Sequence, residues 1–592
     1  MRVEVLDREE IEEKLMMTPG DIVMMLNEMG GLRVQATSPS LGAASVRIQG
    51  MRGRYTRFLS DGLPLFGAQV GSFGLLQIPP MDLGQVEVIK GVASSLYGDG
   101  AMGGVVNLVS RRPGKDPERE LLVNRSSRGA TDGIFWGSTP LTPTWGMTLL
   151  AGAHGQQQTD VNGDDWADLP HYARGIVRPR VFWDDHAGRS FFATAGAMWE
   201  DRSGGTVSGK VLAPLGAPYV EALDTRRIDA GMAAQTLVGG VYIVTARASF
   251  AHAQLDHRFG DVRERDSRDT AFGEIAVRRA LGRHTWVAGA AVERDAFHPE
   301  DLPRFSYTHT VPGVFVQDDV DLWSWLSLSA SGRLDAHSEF GTFFSPRVSA
   351  LLKADGWSSR MSFGTGFFAP TPLTEETEAA GLSRLVIPRA LKAERGRSAS
   401  LDLTRSLGPL SATITLFASR VRDPIEVDRE TAFVLRNLQA PVSNTGVELL
   451  STWRRAPFAV TATYSYVRAL ERPDDVDVRL PLTPRHSAGL VGMWEAEGKG
   501  RIGLEWYYTG AQRLEANPYR DESRPYMVFG ALAERRIGRY RLFVNGENLL
   551  NVQQTDWDPL IRPTRGFDGR WTVDAWAPLD GRNINAGLRI MF

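Results

Sequence analysis

The chain has 592 residues, with 67 Lys and Arg against 70 Asp and Glu, no cysteine, 61 glycines and 15 tryptophans. Near-neutral charge gives no support to a nucleic-acid partner, and the lack of cysteine excludes a disulfide framework and thiolate metal sites. No run of about 18 apolar residues exists to form a membrane helix. Composition therefore leaves a large all-β protein, either soluble or a closed membrane barrel, because lipid cannot satisfy an open sheet edge.

The chain opens MRVEVLDREEIEEKLMMTPG, without a charged-then-apolar leader and small-residue cleavage site. The expectation is a mature or trimmed chain, or a start codon placed too far downstream. Val3-Glu4-Val5-Leu6 reads as a strand and Arg8 to Lys14 as the start of a helix. Between Val46 and Pro113 two β-type runs, Val86 to Ile89 and Gly104 to Val109, are punctuated by glycines and a Pro-Pro step, as in a compact mixed domain. Four pieces stand in order: the short strand before Gly50, LSDGLPL at Leu59–Leu65, VEVIKG at Val86–Gly91 and LYGDGAMGGVVNLVSRRP at Leu96–Pro113. Together this stretch resembles the plug domain of TonB-dependent outer-membrane receptors.

After Pro113 the texture changes to short alternating segments separated by polar turns. Arg360 to Phe367 and Thr413 to Ser419 alternate apolar with small or polar side chains, the period-two pattern that sends one set to lipid and the other to a wet interior. Aromatic residues stand near segment ends (Trp323, Trp325, Trp494, Trp506 to Tyr508), where rings would sit at headgroup level. The last segment, Asn583 to Phe592, alternates almost cleanly and ends on an aromatic residue. It resembles the terminal strand of outer-membrane barrels, in which the final Phe, here Phe592, is read by the barrel assembly machinery.

The resemblance implies a plug over residues 1–115 inside a 22-stranded antiparallel transmembrane β-barrel over 116–592. At about 22 residues for each strand and its connection, strands of about 9–11 residues leave room for long outer loops. It also implies an outer-membrane importer, not an enzyme, that needs no cofactor and is driven by the TonB–ExbB–ExbD complex of the inner membrane. Ferric siderophore is the first expected cargo and cobalamin the alternative; haem fits less well. The energy-coupling segment that the family carries ahead of its plug has no residues here to hold it. A passive pore or a surface adhesin on the same barrel therefore stays open.

Three constellations are candidates for function. The loop DVNGDDWADL places Asp160, Asn162, Asp164 and Asp168 at positions 1, 3, 5 and 9, with the Trp166 carbonyl at position 7, a hard-oxygen spacing that can wrap Ca²⁺. Asp165 replaces the usual turn glycine and His171 stands where a bidentate Glu belongs, so a solvated acidic loop is the equal alternative. Ten histidines are scattered without HxxxH or HExxH spacing, which removes zinc hydrolysis.

By resemblance, two plug arginines usually face two barrel glutamates. Here Gln49 stands at the first plug position and Lys90 at the second; Glu448 matches one glutamate, and Ser400 falls near the other. The expected lock is a single Lys90–Glu448 pair. Family topology also points the plug segments Arg33 to Ala43, Phe66 to Phe73 and Tyr97 to Asp99 outward. Phe66, Gln69, Ser72, Phe73, Tyr97 and Asp99 are the expected ligand contacts. The charge-dense stretch Asp256–Asp269 reads as a solvated hairpin tip.

Overall fold

The computed structural model describes residues 3–65, 73–212, 214–472 and 476–592. Its N-terminal part is a mixed domain. Strand β1 (Glu4–Leu6) leads into helix α1 (Arg8–Met17), short helix α2 (Val23–Asn27) and the hairpin β2 (Leu32–Ser38)–β3 (Ala43–Ile48). Then come β4 (Thr56–Ser60), β5 (Leu83–Lys90), the single turn α3 (Ser94–Tyr97) and β6 (Gly104–Ser110). Asp7 starts α1 because its carboxylate accepts from the Glu10 amide at 3.1 Å while Glu10 reaches back to the Asp7 amide, which satisfies two otherwise orphaned donors.

The sheet runs β1–β5–β6–β4, with β4 parallel to β6 and the other pairs antiparallel. The hairpin and α2 close over it through Ile11, Ile22, Leu26, Val46, Ile48, Phe58, Val86 and Val106, all buried. Burying each such side chain contributes roughly 1.5–3 kcal/mol. The Arg33–Ala43 segment, expected as an outward loop, is mostly strand. Its alternation (Leu32, Val34 and Ala36 against Arg33, Gln35 and Thr37) suits a hairpin, and only residues 39–42 turn.

Everything after Ser110 is built around one closed antiparallel barrel of 22 strands, from Glu118–Ser126 to Asn583–Met591. The last strand closes on the first, with Asn585 opposite Ser126 and Met591 opposite Glu120. A two-residue strand, Val478–Arg479, extends the sheet beyond Phe458–Glu471. One rim carries tight turns, of two residues at 282–283 and 408–409; the other carries long connections such as 369–393 and 548–582.

The wall is inverted relative to a soluble protein. Val314 and Val316 point outward, 56% and 55% exposed, while Phe315 between them points inward and is buried. Buried inward positions are polar elsewhere: Arg333, Asp335, Ser345 and Arg347. Apolar outside and polar inside is the pattern of a barrel in lipid. Trp145, Trp323, Trp325, Trp357 and Trp494 lie exposed at strand ends on the short-turn rim, and Trp323 stacks on Trp325 at 5.3 Å, as an aromatic girdle requires. No helix among the described residues is long and apolar enough to cross a membrane.

Candidate functional site

The mixed domain sits inside the barrel, and its ionic contacts with the wall define the site. Lys90, the last residue of β5, points at the wall. Its Nζ lies 3.0 Å from Glu448 Oε2 and 2.8 Å from Glu4 Oε2 on β1, and it also donates to the Gly30 carbonyl. The turn at Gly30–Gly31 closes this cradle. Gly31 has φ +73°, and a Cβ there would stand 2.0 Å from Glu448 Oε1, so backbone approach and conformation both demand glycine. Gln49 is buried nearby with φ 53°, in a small cavity that it shares with Lys90, Arg360, Ser400 and Asp402. Ser400 is engaged by Ser362, Oγ to Oγ 2.8 Å.

Two further anchor groups have no counterpart in the sequence reading. Toward the short-turn rim, Glu12 of α1 meets Arg589 at 3.0 Å and Arg541 at 2.9 Å, and Arg589 also holds Glu120 at 2.8 Å. Burial alone would raise the Glu12 pKa, but Arg589, Arg8 and Arg541 hold it well below the usual carboxylate range. Lys14 reaches Glu505 on the wall at 2.8 Å and also pairs with Glu28.

Toward the long-loop rim, the loop 369–393 descends into the barrel with helix α4 (Glu375–Ala380). Glu375 accepts from Ser45 Oγ at 2.8 Å and the Gly53 amide at 3.0 Å and pairs with Arg47 at 3.1 Å; Glu376 pairs with Arg52 at 2.8 Å. Around these carboxylates Met51, Tyr55 and Met102 pack on Phe368, Leu373 and Leu382. Other loops interlock above. Arg429 holds Asp574 with two bonds of 2.9 and 3.1 Å and also Glu515 at 3.2 Å, and Gln35 donates to the Ala575 carbonyl at 2.6 Å.

Of the expected ligand contacts, Phe66, Gln69 and Ser72 lie outside the described residues. Phe73 does not offer its ring to the mouth. It is 7% exposed and packs on Leu41, Ala43 and Leu223, with an edge contact to His257, because the ring finds more apolar area on the wall than in the polar lumen. Tyr97 and Asp99 flank Gly98, which also lies against the wall, close to the Arg333 side chain. Asp99 Oδ1 accepts from the Ala369 amide at 3.1 Å, and its carbonyl accepts from Arg57 at 2.9 Å. Burial pushes the Asp99 carboxyl up to about 8.

The acidic loop follows the strand Trp145–Gln156 on the long-loop rim. Asp160 accepts from the Gly163 and Asp165 amides at 2.7 and 2.9 Å, Asn162 from Asp164 at 2.9 Å, Asp164 from Trp166 at 2.9 Å and Asp168 from Val161 at 2.8 Å. Asp165 takes the left-handed turn itself, with φ 67°. Asp168 Oδ1 is buried without a hydrogen-bond partner. Among the described residues, no group of three or more His, Cys, Asp or Glu side chains is placed to hold a metal ion. Trp166 buries against Tyr219, Leu560 and Trp571, tying this loop to the longest one. Asp256–Asp269 is a hairpin with its turn at Gly260-Asp261, laced by an Arg263–Asp256 pair. Phe592 is 56% exposed at the short-turn rim, its amide bonded to the Arg119 carbonyl at 3.0 Å.

Comparison with known proteins matches residues 1–105 to the TonB-dependent receptor plug domain and residues 123–549 to the TonB-dependent receptor-like β-barrel. An iron-regulated outer membrane virulence protein of Vibrio cholerae is 24% identical over 448 residues, which is 72% of this chain and just under two thirds (66%) of that relative. A vitamin B12 transporter of Photobacterium profundum is 29% identical over 135 residues, 22% of this chain and 21% of its own length. Among solved structures, the siderophore receptor PirA of Acinetobacter baumannii superposes with a TM-score of 0.80 at 15% identity, covering 100% of this chain and 98% of that one. The ferric-catecholate import receptor Fiu of E. coli gives 0.77 at 13%, covering 100% and 96%.

Proposed function

The chain belongs to the TonB-dependent receptors of the outer membrane, and from that membership we propose that it actively imports a scarce metal chelate, ferric siderophore first. The observation that carries this reading is the anchored plug. Ion pairs tie it to the wall near the short-turn rim and at mid-height (Glu12–Arg589, Lys90–Glu448) and to the descending 369–393 loop near the other rim (Glu375–Arg47). A barrel filled this way passes nothing until the plug moves, and breaking a buried pair costs about 3–5 kcal/mol. With no nucleotide at the outer membrane, that work must come from an inner-membrane motor acting through TonB. This argues against a passive pore.

The cargo chemistry is supported by the mouth. Arg429 is buried and Arg52 largely covered beneath the outer loops, each already facing carboxylates of this chain. An anionic ferric chelate would find preorganised guanidinium partners there by displacing Glu376 or Asp574. Cobalamin is the second reading, favoured by the acidic loop. Its oxygen donors suit calcium, and Asp168 Oδ1 is a buried carboxylate oxygen that a cation would satisfy. Asp160, Asn162, Asp164 and Asp168 are not gathered around a common point in this structure and would have to close on the ion, which would order the loop under Trp166. The test is uptake of labelled ferric siderophores and of cobalamin by cells carrying this chain, with and without TonB. TonB-dependent accumulation of either supports import and names the cargo, and accumulation indifferent to TonB refutes it.

A further inference from the structure

We infer that cargo crosses along one sector of the wall, the inner face of the paired strands Val220–Val238 and Tyr242–Phe259, and that Leu63 and Leu65 of the plug close this route against Gly231. The inference rests on the import reading above.

Two cavities between plug and wall share these strands. One of about 1040 Å³ opens at the short-turn rim, beside Asp61 and Arg112 of the plug, and climbs the wall to Ala233 and Arg247. The other, of about 110 Å³, starts at Arg227 and Ala251 and rises to Leu223 beside Phe73. Register puts them on one ladder: Ala233 is opposite Arg247, Asp229 opposite Ala251, and Leu223 opposite His257. From Ala233 to the level of Asp229 is four residues, roughly 13 Å at the strand rise.

At the step between them the plug meets this wall at a glycine. A Cβ on Gly231 would stand 2.8 Å from Leu63 Cδ1 and 2.9 Å from Leu65 Cδ2. Both leucines are fully buried, with Phe182 and Phe192 packed around them. The closure is therefore apolar, whereas Arg247 and Asp61 line the cavity below and Asp266 and Arg268 the one above. An apolar pinch between two cavities that each carry charged side chains opposes a hydrated solute by dewetting.

The leucines lie at a turn just beyond β4 that is also tied to β6, the Asp61 amide donating to the Leu108 carbonyl at 2.9 Å and the Gly62 amide to Asn107 Oδ1 at 2.9 Å. They follow a tight turn in which Ser60 and Leu63 exchange two 2.9 Å backbone bonds, beyond the end of β4. That turn is held to the wall by Arg247, which donates to the Gly62 carbonyl at 3.0 Å. Swinging it aside would join the two cavities at the cost of these bonds to β6, leaving the β1–β5 and β5–β6 pairs in place. A third cavity, of about 550 Å³, lies under α1 near Thr461. Over that sector stand the Lys14–Glu505 and Lys90–Glu448 pairs at 2.8 and 3.0 Å, both joining plug to wall, whereas the Arg178–Asp229 pair beside Gly231 lies within the wall and the leucine turn reaches Arg180 only by the longer 3.8 Å Asp61 contact.

The chain has no cysteine, so single thiols report cleanly. The experiment compares purified full-length chains in planar bilayers in potassium chloride. Leu63→Ala/Leu65→Ala is expected to conduct at least tenfold more than the parent, and adding Gly231→Leu to refill the gap is expected to silence it. In the conducting background, a bulky maleimide on Ala233→Cys is expected to block current and one on Thr461→Cys to leave it. A double variant as silent as the parent, or a block from Thr461→Cys alone, overturns the route. In case the alanines disturb the plug, the same labels on the parent leucines are read by chelate uptake: loss from Ala233→Cys supports the route, loss from Thr461→Cys alone overturns it. Cells whose unlabelled parent takes up nothing would refute import itself, and the bilayer comparison would still decide the gate.

Discussion

Lys90 faces two carboxylates at once, Glu448 of the wall at 3.0 Å and Glu4 of its own sheet at 2.8 Å. The second partner changes what the first is worth. When the plug leaves the wall, Lys90 keeps Glu4 beside it, and only Glu448 is left uncompensated.

The two carboxylates should therefore respond with opposite signs. Glu448→Gln removes the wall's charge-assisted bond and is expected to loosen the plug by about 1.5–3 kcal/mol. Glu4→Gln leaves Lys90 dependent on Glu448 and is expected to tighten it. The denaturant concentration at which plug peptides become protease-sensitive reads both. Loosening by both variants would mean that Glu4 acts only as part of the fold.

Gly31→Ala tests the cradle itself. The added methyl meets Glu448 Oε1 at 2.0 Å on a backbone with φ +73°, so the carboxylate must withdraw from Lys90. The plug is expected to loosen by at least as much as in Glu448→Gln, and combining the two substitutions should add less than their sum.

Asp99 supplies a pH dependence. Burial holds its carboxyl up to about 8 in the folded chain, against about 3.9 in an unfolded one. Between these values the folded state binds more protons, so stability falls as pH rises from about 4 toward 8, and the full cost is present above that range. Plug unfolding temperatures of the parent are expected to decline over this window relative to Asp99→Asn, which carries no such charge. Parallel pH profiles would contradict it.

The acidic loop predicts a calcium effect of the same origin. Burial raises Asp168 to about 7, and a bound cation would offset that cost. Millimolar calcium is expected to protect the 157–170 loop from proteolysis in the parent and not in Asp168→Asn. Equal protection in both would assign the loop's order to its own Asx bonds and to Trp166 alone.

What was legible in the sequence follows from range. Alternation along single strands, the aromatic end at Phe592 and the plug's short motifs are local patterns, and they carried the barrel and its filling. The Lys90–Glu448 pair came only through family likeness. Glu12–Arg589 joins residues 577 positions apart, and α4 turns Glu375 and Glu376 onto plug arginines. No spacing rule announces either, because a barrel brings distant strands around one plug. Phe73 is buried for a related reason: nothing near it in the sequence announces Leu223 of the wall, on which its ring packs. The hairpin at Leu32–Ile48 was different, since its alternation and the Ser-Pro-Ser-Leu-Gly turn were there to be read.

Ferric siderophore uptake in matched cells with and without TonB shows whether an energised partner must move the plug before cargo can pass. Binding is expected in both and accumulation only where TonB works. Equal accumulation without TonB would contradict that requirement.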